Sequence, residues 1–377
     1  MNELVTFKKL ILLIACITVL VGCAEQKVLE RISLTTLVGF DLGDDDKLAA
    51  TAVIRQINPD LESKIELQSA TALTSRGARA KIDFKTSKTI GSGQLRVVLF
   101  GEELAKAGLN KNIHILKMNS EISNATYMAT VEGGLDDLLE YKYENISDLG
   151  QHIYQLIKYN ADKQYIISST LHEVNRDKLT FLGSYSMPIL KRQEENIQIS
   201  GIAFFNKGKL VGNLPAEKSI YILMVKGKTH SGTLELEVPI TTLEKSPSDS
   251  SEKKISIAID SIDSKRKIKL VDSELPEFNL TIELKCRLLE VGSDVSTDGS
   301  NIFHKLEKEI NKKIESEINR IINYSHEIET DIFQFGEYYK AQNRHADIDK
   351  EKWNEMYPEM KVNVTVNTTI VRDGVFQ

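Results

Sequence analysis

The sequence predicts a multidomain α+β protein with mixed or antiparallel sheets, packed helices, and a C-terminal domain in which a long helix lies on a β-sheet. Three observations carry this expectation. Strand-like and helix-like segments intermix without the strict alternation of a βαβ repeat, which favours α+β over a doubly wound sheet. Towards the C-terminus, Ile302, Leu306, Ile310, Ile314, Ile318 and Ile321 recur every three or four residues, as one buried stripe of a long helix requires. Farther on, Val362, Val364, Val366, Thr368 and Ile370 alternate with Asn363, Thr365, Asn367 and Thr369, the period of a half-buried strand.

The elements follow in chain order. Residues 32–42 and 48–57 are rich in apolar and β-branched side chains and flank Gly43-Asp44-Asp45-Asp46, a hairpin pattern. The acidic triplet lacks the spaced ligands and closing Glu of an EF-hand, so it reads as a solvated turn. Asn58-Pro59 ends the second strand. Residues 69–88 carry the Ala, Arg and Lys density of a helix, with Gly77 as an interior weakness. A strand is expected over 94–100. The run Gly101-Glu102-Glu103-Leu104-Ala105-Lys106-Ala107-Gly108 reads as a short helix with acids at its positive end and a glycine stop. A strand at 125–132 precedes helices near 135–140 and 150–159. After a polar join at 191–196, segments 197–205 and 209–214 flank Asn206-Lys207-Gly208, a second hairpin.

Pro215 is suited to the first position of a helix over 216–225, where its missing N–H costs nothing. Residues 227–242 are extended, and 244–254 have almost no apolar content, so they read as a loop or linker. Strands are expected at 255–263, 265–271 and 278–290. The long helix starts near Asn301, with Glu309 and Lys313 as an i, i+4 pair on its far side. A second helix covers 331–341 and the terminal strand 360–371. The expected division is 1–22 (leader), 23–30 (lipidated N-terminus and spacer), 31–190 (N-terminal α+β domain), 191–245 (small central domain with hairpin and helix) and 246–377 (C-terminal α+β domain).

A chain of 377 residues is too long for one compact core. Its 41% apolar and 27% charged residues are those of an ordinary globular protein, which argues against long disorder. The formal charge of −6 comes without a basic block, which argues against nucleic acid or anionic lipid as the main partner.

The N-terminus carries the strongest signal. Lys8-Lys9 precede an apolar run over 10–21 and then small Gly22, the parts of a secretory leader. That run is shorter than the roughly 20 apolar residues a membrane span needs. Leu20-Val21-Gly22-Cys23 resembles a bacterial lipobox, in which the Cys23 thiol receives a diacylglyceryl group and the new N-terminus is acylated. Each buried CH₂ contributes about 0.8 kcal/mol, and two chains on one residue suffice for stable attachment. Cleavage removes Glu3, Lys8 and Lys9, which makes the formal charge one unit more negative than −6. Of the three cysteines, Cys16 leaves with the leader and Cys23 is acylated, so only Cys286 remains and no internal disulfide can form. Cys286 lies in an apolar stretch and reads as a buried, inert thiol.

With these segments in place, the chain resembles the GerC, or Ger(x)C, family of spore germination lipoproteins. The resemblance runs nearly end to end. After the lipobox come Val38-Gly39-Phe40-Asp41 and Ser69-Ala70-Thr71, then Leu95-Arg96-Val97-Val98-Leu99-Phe100-Gly101-Glu102-Glu103-Leu104-Ala105. Gly201-Ile202-Ala203-Phe204-Phe205 with Lys209-Leu210-Val211-Gly212 looks like the family's central hairpin. Lys226-Gly227-Lys228 with Ser231-Gly232, Asp331-Ile332-Phe333-Gln334-Phe335-Gly336-Glu337 and Trp353-Asn354-Glu355-Met356-Tyr357-Pro358-Glu359 complete the series. Ala24 and Gln94 depart from the Trp and His that family members often carry there. The resemblance implies a three-domain α+β body on the outer face of the spore inner membrane. There it would work beside a multi-spanning A-type subunit and a transporter-like B-type subunit, the latter being the usual candidate for germinant binding.

No catalytic constellation is visible in the body. None of the seven histidines pairs with another at metal-ligand spacing, and His172-Glu173 meets Arg176 where a zinc helix needs its second His. Gly91-Ser92-Gly93 precedes a strand and lacks a third glycine, so it is a loop rather than a dinucleotide site. Glu102 and Glu103 are adjacent on a helix and point apart. No catalytic residue, cofactor or metal is expected. Phe204, Phe205 and Leu210 on the hairpin, with Trp353 and Tyr357 one helical turn apart, are the candidates for contact with partner subunits. The expected function is a lipid-anchored, non-catalytic receptor subunit. The competing class is a solute-binding lipoprotein that captures a nutrient for a transporter, which calls for two similar lobes about a polar cleft.

Overall fold

Apolar alternation sorts the strands into two sheets, and the helices pack where the alternation leaves apolar faces uncovered. The computed structural model describes residues 32–55, 65–86, 89–180, 183–227, 229–230, 232–239, 254–292 and 300–371. The leader, Cys23, the spacer, Asn58-Pro59 and most of the 244–254 loop lie outside the described residues.

The first sheet contains β1 (Ile32–Leu42), β2 (Leu48–Arg55), β3 (Ile65–Ala72), β4 (Thr89–Gly91), β5 (Val97–Gly101), β6 (Tyr127–Val131), β7 (Tyr185–Gln193), β8 (Asn196–Asn206) and β9 (Lys209–Pro215). Its order is β3-β2-β1-β5-β6-β7-β8-β9, with β4 beside the start of β1. The central strands β1, β5, β6 and β7 are parallel, and antiparallel hairpins extend the sheet on both sides. Every residue of β5 and β6 is buried, as for parallel strands covered on both faces. One face carries α1 (Ser75–Asp83), α2 (Glu102–Ala107), α3 (Asn110–Met118) and α6 (Leu171–Leu179); the other carries α4 (Leu135–Leu139) and α5 (Leu149–Asp162).

Both expected hairpins are present. Lys207 and Gly208 turn the second with φ of 53° and 87°, the left-handed pair that a two-residue hairpin turn demands. The expected helix over 69–88 is shorter. Ser69–Ala72 is the end of β3, where the Ser69 hydroxyl meets Thr51 at 2.9 Å across the ladder. Pairing with β2 overrides the helical propensity of that stretch, and the helix begins only after Thr74. The Thr74 hydroxyl accepts the N–H of Gly77 at 3.0 Å, so Gly77 lies in the capped first turn.

The second sheet has the order β10 (Thr233–Pro239), β11 (Lys254–Asp272), β12 (Glu277–Val291) and β13 (Lys361–Ile370). β13 joins β12 in parallel. The long helix α8 (Ser300–Glu327) lies on this sheet with Leu306, Ile310, Ile314 and Ile318 wholly buried, as the stripe requires. The segments expected as separate strands at 255–263 and 265–271 form the single strand β11, whose register slips between Asp260 and Asp263. Glu309 pairs with Lys312 at 2.7 Å rather than with Lys313, and it is buried at 6% exposure rather than on the far side. Lys313 turns to Glu317 at 3.6 Å.

Among the described residues, three shorter helices complete this half: α7 (Ser219–Lys226), α9 (Phe335–Gln342) and α10 (Lys350–Met356). α9 starts later than residue 331 because Asp331 accepts the N–H groups of Phe335 and Gly336 at 2.9 and 2.8 Å instead of joining the helix. The described residues of the 191–245 segment are shared: the β8–β9 hairpin completes the first sheet, while α7 and β10 enter the core of the second.

Candidate functional site: the seam between the two sheets

Adjacent residues of a strand face opposite ways, and β8 uses both faces. Ile202 and Phe204 belong to the core built around the second sheet, whereas Ala203 and Phe205 belong to the helical core of the first. Phe205 stacks on Tyr185 with ring centroids 4.8 Å apart, and Leu210 packs half-buried against the same cluster. Both phenylalanines are buried, at 1% and 0% exposure. The hairpin picked out for partner contact therefore spends its aromatic rings on the chain's own seam.

Trp353 and Tyr357 are likewise interior. Trp353 is fully buried between Tyr339 and Tyr357, at centroid distances of 5.4 and 6.1 Å. The Tyr357 hydroxyl meets Ser325 Oγ at 2.7 Å and donates to the Thr330 carbonyl at 3.1 Å, tying the end of α10 to α8. Burial holds this phenol well above the usual tyrosine range. As folded, neither ring is presented to a partner.

Polar contacts cross the seam at several points. The N–H of Asn213 on β9 donates to the Tyr324 hydroxyl on α8 at 2.9 Å, and the Asn206 amide donates to the Glu329 carbonyl at 2.8 Å. Gly212 makes this approach possible, since a Cβ there would stand 2.3 Å from the Tyr324 hydroxyl. Lys218 reaches Glu317 at 2.7 Å, and Arg320 joins the same carboxylate at 3.0 Å. Burial pushes the Glu317 carboxyl up, but its hydrogen bond from Lys218 and the surrounding cations outweigh that and hold it below the usual range.

A part-buried ionic group lies where α6, α7 and the turn before α9 converge. Asp177 takes the Arg176 guanidinium at 2.8 Å, and Lys226 Nζ stands 3.9 Å from its other oxygen. Arg266 donates to the Lys226 carbonyl at 2.9 Å and to the Tyr338 hydroxyl, with its guanidinium 5.0 Å over that ring. Burial pushes the Asp331 carboxyl up to about 6, although backbone N–H bonds and Lys226 oppose the rise. Burial also lowers the Lys226 ammonium, against the pull of Asp177.

The carboxyl ends of parallel strands are where mixed and parallel sheets place ligands. A cleft of about 360 Å³ there is lined by Glu102 and Glu132. Glu102 binds Lys106 at 2.8 Å and accepts the Gly133 N–H at 3.2 Å. Glu132 binds Lys191 at 2.7 Å and Ser200 at 3.2 Å. Nearby, Asp41 accepts the N–H groups of Leu42 and Leu135 at 2.8 and 3.2 Å. Each carboxylate is engaged in holding the loops that follow its strand. Glu102 and Glu103 do not point apart as expected but converge on Lys106, Glu103 at 2.9 Å, a helix-terminal ion pair rather than an acid–base pair. Burial pushes the Cys286 thiol up to about 12, the environment of an unreactive cysteine. Among the described residues no group of three or more His, Cys, Asp or Glu could hold a metal ion, and no helix is long and apolar enough to cross a membrane.

Known proteins share this architecture. Residues 25–192 match the family model described as spore germination protein N-terminal domain, and residues 200–374 match that described as spore germination B3/GerAC-like, C-terminal. The chain is 23% identical over 376 residues to the spore germination protein GerQC of Bacillus cereus, covering 98% of this chain and 99% of that one. The crystal structure of the GerBC protein superposes with a TM-score of 0.57 at 16% identity, covering 89% of this chain and 97% of that one. That likeness establishes a common fold.

Proposed function

This chain belongs to the GerC-like family of spore germination proteins, and from that membership we propose that it is a lipid-anchored, non-catalytic subunit of a nutrient germinant receptor. Its task is receptor assembly and the germination response to nutrients. The observation that carries this reading is the ordered match of both halves, over 25–192 and 200–374, directly behind the lipobox that ends at Cys23. Cys23 carries the S-diacylglyceryl and N-acyl groups, and the body stands on the outer face of the spore inner membrane beside A-type and B-type subunits. The two acyl chains of the diacylglyceryl group already suffice to hold it there without a spanning helix.

The mechanism is differential contact. A subunit biases a response only if it binds the resting and the germinant-occupied complex with different affinity. The engaged carboxylates and the buried thiol support a role without catalysis. A solute-binding lipoprotein closes two like lobes over a polar cleft, whereas the two sheets formed by the described residues, of nine and four strands, differ in order and size.

Crosslinking and pull-down from spore membranes, comparing wild type with Cys23→Ala, tests the proposal. Wild type is expected to recover A-type and B-type subunits, and Cys23→Ala to lose membrane retention. Recovery of no membrane protein by wild type would remove the subunit assignment; undiminished retention of Cys23→Ala would remove the anchor.

A further inference from the structure

On the face of the first sheet that carries α1, α2, α3 and α6, between α1 and the loop after α3, lies a cavity of about 510 Å³. Side-chain size creates it. β2 presents Ala50 and Ala52 to this face, in register with Phe40 and Val38 on β1. Strands ordinarily carry bulkier β-branched residues at such positions. Two successive small inward residues hollow the floor and part the apolar cluster around Phe40 and Leu95 from that around Ile54, Ile82 and Ile90. A volume of this size falls within the roughly 300–1,000 Å³ of small-molecule sites.

The polar groups are disposed at two depths. Thr35 lines the cavity at 1% exposure, and its hydroxyl has no hydrogen-bond partner. It pairs in register with Ile54, whose side chain packs towards α1, so the Thr35 side chain lies on the cavity side of β1. Its neighbour Thr36 turns the other way and donates to the Val53 carbonyl. A buried hydroxyl left unpartnered costs about 1–3 kcal/mol. Nearer to solvent stands Arg79, its side chain 37% exposed. It donates to Ser92 Oγ at 3.4 Å and to the Ile90 carbonyl, and lies 3.7 Å from Glu121. These bonds fix the guanidinium at the rim, and a guanidinium has more donors than they use.

We infer that this cavity binds a small amphipathic carboxylate. Its apolar body lies on Phe40, Ala50, Ala52 and Leu95, a hydrogen-bonding group at its buried end meets Thr35, and its carboxylate meets Arg79 at the rim. The inference goes beyond the receptor-subunit role and does not depend on lipidation.

Calorimetric titration of the full mature chain carrying Cys23→Ala tests it, with para-hydroxyphenylpropionate, phenylpropionate and the amide of the hydroxylated acid as probes. The hydroxylated acid is expected to bind saturably, about tenfold tighter than either of the others. Thr35→Val should erase the preference for the hydroxyl, and Arg79→Gln the preference for the carboxylate over the amide. Ala52→Leu fills the floor; it should abolish binding of all three probes while the protein keeps its unfolding temperature, and Ala50→Val supplies a smaller filling. The inference fails if no probe binds saturably at millimolar concentration, or if binding survives Ala52→Leu. It fails equally if both filled variants unfold, since the space would then not be there.

Discussion

The carboxylate of Glu315 on α8 accepts the backbone N–H of Val366 on β13 at 2.8 Å, a bond that another strand would ordinarily make. The relationship repeats. Asn311 accepts from Thr368 at 2.9 Å and Glu307 from Ile370 at 3.0 Å. Four residues of helix advance about 6 Å and two residues of strand about 6.6 Å, so the two periods run in step. The outer edge of the second sheet is thereby closed by side chains of the helix that covers its face, which removes a template for strand addition.

Removing one acceptor should leave a part-buried N–H unpaired. Glu315→Ala is expected to lower stability by about 1–3 kcal/mol in urea unfolding, and Glu315→Gln, which keeps an acceptor, by clearly less. Equal losses for the two variants would show that the ladder contributes nothing specific.

At the seam, Gly212→Ala places a methyl 2.3 Å from the Tyr324 hydroxyl. Tyr324→Phe alone forfeits the bond to Asn213, worth about 1 kcal/mol. The two changes should be non-additive, with Gly212→Ala costing less once the hydroxyl is gone. A double-mutant cycle by thermal unfolding reads this directly.

Asp331 gives a pH signature. Its carboxyl titrates near 3.8 when unconstrained and is raised to about 6 in the fold. Between those values the native state holds a proton that the unfolded chain has released. Its contribution to stability is therefore largest below about pH 4, falls as pH rises to about 6, and is flat above. The difference in unfolding free energy between wild type and Asp331→Asn, measured from pH 4 to 7, should trace that fall. A difference that rises with pH would contradict the assigned direction.

Phe204→Ala and Phe205→Ala separate an interior role from a partner-facing one. Each deletes a buried ring and is expected to cost about 3–5 kcal/mol of stability, with the half-buried Leu210→Ala costing less. Variants that keep their stability yet lose receptor assembly would reverse this reading.

Strong periodicity made much of the fold legible. The isoleucine stripe of α8, the valine alternation of β13 and the Asn206-Lys207-Gly208 turn each name one structure. Ser69–Ala72 misled because small polar residues suit a helix locally, and only pairing with β2 makes them a strand. α3, α6 and β7 carried no pattern strong enough to be picked out. Asp331 reads as a helical residue until its role as acceptor for the next helix is seen. The seam was half legible: Phe204, Phe205, Trp353 and Tyr357 stand out as apolar, but sequence does not say whether the covering surface is the chain's own. Glu307, Asn311 and Glu315 did leave a signal, as acceptors spaced by four, each one residue after Leu306, Ile310 and Ile314. The alanine-floored cavity left none, because it depends on small residues meeting large ones across paired strands.

Because Phe204 and Phe205 root one strand in opposite interiors, β8 acts as a rivet through two plates. Sliding one plate past the other would draw an aromatic ring into water, so the halves should melt together and move as a single lever. A push received at either end of such a lever reaches the other with little lost to internal slack.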